Sequence, residues 1–167
     1  TVNYGSGTAA LAADWVRDAN VTRKLGIRHW EIGNEVYGDW EYDLHDKPHD
    51  PVTYANTFKE YAAAMRAVDP SIRLGAPVTD YREKRNWNVE MGKTMRAIGV
   101  RPDFVVWHMY PQMSGQEDDA RLLAHRAGSA PMFEARIGFI RSSLDAIFGA
   151  EAAGIEIWLR ELNSTWQ

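Results

Sequence analysis

The sequence of 167 residues contains no cysteine. Disulfides, thiolate nucleophiles and Cys-ligated zinc are therefore excluded together, while the compartment stays open. Basic clusters are also missing: the formal charge is -4, the pI is near 5.7, and the longest basic grouping is the scattered Arg82, Lys84 and Arg85. Nucleic acid is not an expected partner. No apolar run approaches the ~18 residues of a membrane span, so no membrane is expected either. The first residues carry no basic and apolar blocks of a signal peptide, but the chain is expected to begin inside a domain, so this says nothing about export. Low-complexity linkers are absent as well, and residues 1–167 read as one domain.

What is present is the balance of a core-forming chain, 45% apolar and 25% charged. Segments of β character alternate with segments of helical character, the pattern of a largely parallel sheet with crossover helices. Thr8 is the expected N-cap of a helix over Ala9 to Leu25, with Leu11, Trp15, Val16 and Ala19 at helical spacing and Gly26 as its stop. A strand over Ile27 to Gly33 ends in Asn34-Glu35, and a polar loop runs from Val36 to Pro51. Helix is expected from Val52 to Val68, strand from Ile72 to Val78, helix from Trp87 to Ile98, and strand from Asp103 to Pro111. Two helices, Ala120 to Ala127 and Met132 to Phe148, precede a last strand from Ile155 to Glu161.

Strand spacings of roughly 30 to 50 residues suit βαβ units with functional loops. A complete (β/α)8 barrel needs about 250 residues, so a TIM-barrel reading makes this chain a partial catalytic domain. Catalytic groups of such barrels sit at the C-terminal ends of strands. Three polar ends qualify: Asn34-Glu35, then His108 with Tyr110, and Glu161. Two carboxylates on separate strand ends suit glycoside hydrolysis, in which one protonates the leaving oxygen and the other attacks or directs water at the anomeric carbon.

The run Trp30-Glu31-Ile32-Gly33-Asn34-Glu35 resembles the strand-four motif of the clan A glycoside hydrolases, and Trp158-Leu159-Arg160-Glu161-Leu162-Asn163 resembles their strand-seven site. Counting Ile72 to Val78 as strand five and Phe104 to Met109 as strand six puts Glu161 on strand seven, as that pattern requires. The likeness is nearest to α-L-arabinofuranosidase-like and endoglucanase-like barrels, and spans roughly the end of strand three to strand seven. It implies a retaining mechanism without a cofactor or a metal. Glu35 would be the acid/base with a raised pKa, Glu161 the nucleophile, and Asn34 a partner of the sugar hydroxyl beside the anomeric carbon. Tyr110 or His108 would orient Glu161, and Asn163 lies within the strand-seven motif as a further substrate contact. The expected partners are an oligo- or polysaccharide and the remainder of the barrel, strands one, two and eight. Secretion is expected because such substrates are too large to enter a cell.

Among the tryptophans, Trp40 and Trp166 lie in or beside mouth loops and are candidate platforms for sugar rings, while Trp30, Trp107 and Trp158 are assigned to the core. The competing readings are weaker. Glu31 and Glu156 are assigned to ion pairs or polar layers. His45 and His49 with Asp43, Asp46 and Asp50 read as a solvated loop in preference to a zinc site, and Asn3 to Thr8, which lacks a third glycine and a P-loop lysine, as a mouth turn in preference to a phosphate cradle. A carbohydrate-binding protein on a decayed barrel is the alternative from another class. A metal-dependent barrel would need ligands on several strand ends, of which His108 alone is apparent.

Overall fold

The computed structural model describes residues 1–80, 86–110, 115 and 118–162. Four strands, β1 (His29–Glu31), β2 (Arg73–Pro77), β3 (Phe104–Met109) and β4 (Glu156–Leu162), form one sheet in the order β1-β2-β3-β4. Every pairing is parallel. An isolated parallel bridge from Val2 to Ile32 adds a pairing beyond β1, at the place expected for the end of strand three. Helices α1 (Ala9–Val16), α2 (Pro51–Val68), α3 (Trp87–Ala97) and α4 (Asp119–Phe148) make the crossovers. This is a partial (β/α) barrel.

Strand parity separates two faces. Trp30, Leu74, Ala76, Val105, Trp107 and Met109 share one buried cluster with Tyr54, Phe58 and Met65 of α2 and Met91 and Met95 of α3. Residues of the opposite parity line the inner, barrel side. There Phe104 stacks on Trp158 at 4.5 Å and meets His29 edge-on at 5.7 Å. Trp158 is thus half-buried on the inner side, unlike Trp30 and Trp107, which are core as expected. Gly75 lies under this aromatic layer, where an added Cβ would stand 2.1 Å from the Phe104 ring.

Several boundaries differ from the sequence reading. The first helix is α-helical only to Val16 and then widens into a π-helical segment, Arg17–Thr22. The Asn20 amide then takes both the Ile27 carbonyl and the Ile27 N–H. With its backbone bonded there, Ile27 cannot join the ladder, and β1 starts two residues later. The two expected helices before β4 are one, α4, with Pro131 inside it. Caps fall where capping chemistry places them: Thr8 accepts from the Leu11 N–H, and Asp50 accepts from the Thr53 N–H with Pro51 opening α2.

Exposed apolar side chains lie on the elements at both ends of the sheet: Leu11 and Trp15 on α1, Val21 on the π-helical segment and Leu25 and Ile27 before β1 at one end, and Leu159 and Leu162 on β4 with Ile137 on α4 at the other. Among the described residues no helix is long and apolar enough to cross a membrane.

The close approach at Gly75 gives a stability test. Gly75→Ala should lower stability by about 1–3 kcal/mol through overpacking against Phe104, read as a lower thermal midpoint; an unchanged midpoint would show that the aromatic layer can shift.

Candidate active site

The C-terminal ends of the strands gather the polar residues singled out in the sequence. Glu35 follows β1 through a turn in which Gly33 has φ +77° and Glu35 itself φ +40°. Left-handed backbone suits glycine and costs an ordinary L-residue about 1–2 kcal/mol, so the surroundings must hold Glu35 there. The Tyr54 hydroxyl, buried on α2, donates to the Ile32 carbonyl at 2.7 Å and pins the strand just before the turn.

His108 and Tyr110 come from the end of β3, and Glu161 from β4. The ladder between these strands slips by one residue: Trp107 pairs with Leu159, but His108 pairs with Glu161. Arg160 is the extra residue of a β-bulge. Strict alternation from Trp158 would put Glu161 on the helix side. The slip instead sets it beside His108, on the inner side.

The His108 Nδ1 lies 2.7 Å from Glu35 Oε1 and 3.5 Å from Glu161 Oε2. The Tyr110 hydroxyl donates to Glu161 Oε2 at 2.6 Å. Of the two residues offered by the sequence to orient Glu161, the structure sets Tyr110 against it and His108 mainly against Glu35. One oxygen of each carboxylate and a ring nitrogen of His108 all lie within 4.8 Å of one another. That spacing also fits three ligands of a cation, which corrects the expectation that His108 stands alone as a candidate ligand. The strand ends were predictable one by one, but their convergence depends on the slipped register.

Glu35 is enclosed further. The Trp40 indole N–H donates to its Oε2 at 2.7 Å, and the Tyr37 hydroxyl donates to Oε1 at 3.4 Å. Burial pushes the Glu35 carboxyl up, but the hydrogen bonds from His108 and Trp40 favour the carboxylate and leave it below the ordinary glutamate range. The expectation of a raised Glu35 is thereby overturned, because its neighbours are donors and not an apolar wall. The Tyr110 phenol is pushed up to about 12, first by its bond to Glu161 and then by burial.

Trp40 is half exposed and touches Glu35 through its N–H. Asn34 donates to Glu41 Oε1 at 3.0 Å, and Arg160 donates to its Oδ1 at 3.5 Å. A cavity of about 420 Å³ opens beside them, with Asn3, Ser6, Asn34, Glu41 and Tyr42 in its wall. Asn163 and Trp166 lie outside the described residues, as do Arg82, Lys84 and Arg85. Tyr37 and Glu41 were missed in the sequence, where loop residues two and seven positions from Glu35 and Asn34 carry no periodic signal.

The other candidates find structural roles. Glu31 is buried and ion-paired with Arg160, and Glu156 pairs with Arg73 at 2.6 Å. Asp43 accepts from the backbone N–H groups of His45 and His49 and lies 2.6 Å from the His45 ring, organising the loop. In the early glycine segment Asn3 accepts from the Ser6 N–H, and the Gly5 carbonyl from the Leu44 N–H. That segment is a loop tied to the mouth.

No family model matches the chain. Among curated proteins, α-L-arabinofuranosidase C of Emericella nidulans is 35% identical over 88 residues, 44% of this chain and 17% of that protein. A probable α-L-arabinofuranosidase C of Aspergillus clavatus is 34% identical over the same length. Among solved structures, the α-L-arabinofuranosidase of Thermotoga maritima, in complex with arabinose, aligns over 99% of this chain with a TM-score of 0.73 and 26% identity. The fold of the chain is similar to part of the barrel of these α-L-arabinofuranosidases. A family 51 α-L-arabinofuranosidase of Bifidobacterium longum, 22% identical with a TM-score of 0.73, agrees in fold. The chain spans 34% of each of these two solved chains.

The donors around Glu35 can be tested directly. Trp40→Phe removes a hydrogen bond to the carboxylate, so the Glu35 titration midpoint, followed by carboxyl ¹³C NMR, should move up. A midpoint that stays in place would refute the control assigned to Trp40.

Proposed function

We propose that the protein is a retaining α-L-arabinofuranosidase, with Glu161 as nucleophile and Glu35 as acid/base. The observation that carries this reading is the close approach of the two carboxylates, with an oxygen of each within 4.8 Å of the other at the C-terminal side of the sheet. Retaining glycosidases hold their pair about 5–5.5 Å apart, and inverting ones about 6.5–9.5 Å to admit a water between. The likeness to named arabinofuranosidases supports that sugar over a glucan.

In this mechanism a Glu161 oxygen attacks the anomeric carbon as the glycosidic bond breaks, and Glu35 passes its proton to the departing oxygen. Glu35, now ionised, takes a proton from water as that water displaces Glu161, restoring both groups. Tyr110 keeps the attacking carboxylate aimed. Asn34 is assigned to the hydroxyl beside the anomeric carbon, and Trp40, with Trp166 and Asn163, to the sugar's surroundings. The orienting donors on both carboxylates support an enzyme over a decayed binding barrel. Two further assignments belong to the proposal: the remainder of the barrel covers the apolar sheet edges, and the protein is secreted to meet a polymeric substrate.

The acid must be protonated to act, and its donors hold it low. Protonated Glu35 therefore becomes scarce early as pH rises, and kcat/KM should fall from the acidic side of neutrality upward.

The deciding measurements use an aryl α-L-arabinofuranoside. Glu35→Ala should lose about 10²–10⁴-fold in turnover of a poor leaving group, while with an activated aryl leaving group, which departs without an acid, azide should take the glycosyl-enzyme and speed turnover, giving an arabinosyl azide of retained configuration. Glu161→Gln should be inactive, and a chelator without effect. Loss of activity on chelation with a fully active Glu161→Gln would replace this mechanism by a metal-dependent one.

A further inference from the structure

The bulge places two inward side chains in succession on β4. Glu161 has a task in the proposed reaction; Arg160 does not. Its guanidinium donates to the buried carboxylate of Glu31 on β1 and lies 3.5 Å from the Asn34 Oδ1. The same Glu31 oxygen accepts from the Thr1 hydroxyl at 3.0 Å, and the Asn34 amide nitrogen is taken by Glu41. Both ends of the Asn34 amide are thus occupied, one by a cation and one by an anion. This arrangement can hold only one flip of the amide, because the carbonyl must face Arg160 and the NH₂ must face Glu41.

Glu31 is 5% exposed. A carboxylate so buried is stable as an anion only with a partner, and Arg160 is the only cation hydrogen-bonded to it among the described residues. One guanidinium nitrogen, Nη1, serves both acceptors, and the rigid plane of arginine fixes the directions of its hydrogens, whereas a lysine ammonium would neutralise Glu31 while rotating freely.

We propose that Arg160 is a positioning residue: anchored on buried Glu31, it fixes the side-chain amide of Asn34 in the orientation that meets the sugar. The proposal rests on the glycosidase reading and adds to it a residue that touches neither reacting carboxylate. An amide contact that strengthens in the transition state should appear in kcat more than in KM.

The single variant Arg160→Met leaves Glu31 buried without its cation and can fail to fold. Glu31→Gln/Arg160→Met removes both charges and keeps similar volumes, an exchange that folded proteins tolerate well. On the full chain, this double variant should melt near wild type yet lose about ten- to a hundredfold in kcat, the scale of a hydrogen bond to a charged group, with little change in KM. Adding Asn34→Ala to it should cost no further activity, since Arg160 acts through that amide. Arg160→Lys should also fold while recovering only part of kcat. Wild-type kcat in a folded Glu31→Gln/Arg160→Met protein, with Glu161→Gln inactive, would overturn the proposal alone; a fully active Glu161→Gln would overturn the glycosidase reading beneath it. A double variant that does not fold would show that the pair acts as structure, which also counts against the proposal if Arg160→Lys retains full kcat.

Discussion

The parallel ladder between β3 and β4 is the constraint on which the site depends, and in particular its one-residue slip after Trp107. A sheet assigns side chains to its faces by parity, so a single unpaired residue exchanges the two faces for everything beyond it. Upstream of the slip, β4 contributes Trp158 to the aromatic layer; downstream it contributes Glu161 to the carboxylate pair. Without the slip those two residues, three apart, would lie on opposite sides. The aromatic layer below and the polar rim above are joined by that one irregularity.

Much of this was legible in the sequence. Alternating helix and strand patterns gave the parallel architecture, because crossover helices bury one face and the strands between them are apolar in long runs. Asn34-Glu35, His108, Tyr110 and Glu161 could be picked out because strand ends of such a fold share one rim. The ion-pair assignments of Glu31 and Glu156 needed only the rule that strand carboxylates seek cations, although their partners, Arg160 and Arg73, lie 129 and 83 positions away.

The remainder was hidden because it is non-local or turns on small energy differences. The π-helical widening at Arg17–Thr22 adds nothing to apolar periodicity that an α-helix would not show. Continuity of α4 through Pro131 runs against a local rule that tertiary packing can override. The lowering of the Glu35 carboxyl depends on two donors, His108 from β3 and Trp40 from the loop after β1, that meet only in the folded chain. A buried glutamate at a strand end suggests desolvation, and the sequence cannot show which neighbours will answer it.

The left-handed backbone at Glu35 has a consequence for how this sequence can change. Glycine would relieve that conformation at no steric cost and asparagine at a smaller one, so drift or computational redesign scored on stability alone would favour replacing this residue. The proposed acid/base therefore stands where thermodynamic preference and chemical use pull in opposite directions. Persistence of glutamate at this position in diverging descendants would be a record of selection on the reaction, because the backbone itself gives no reason to keep it.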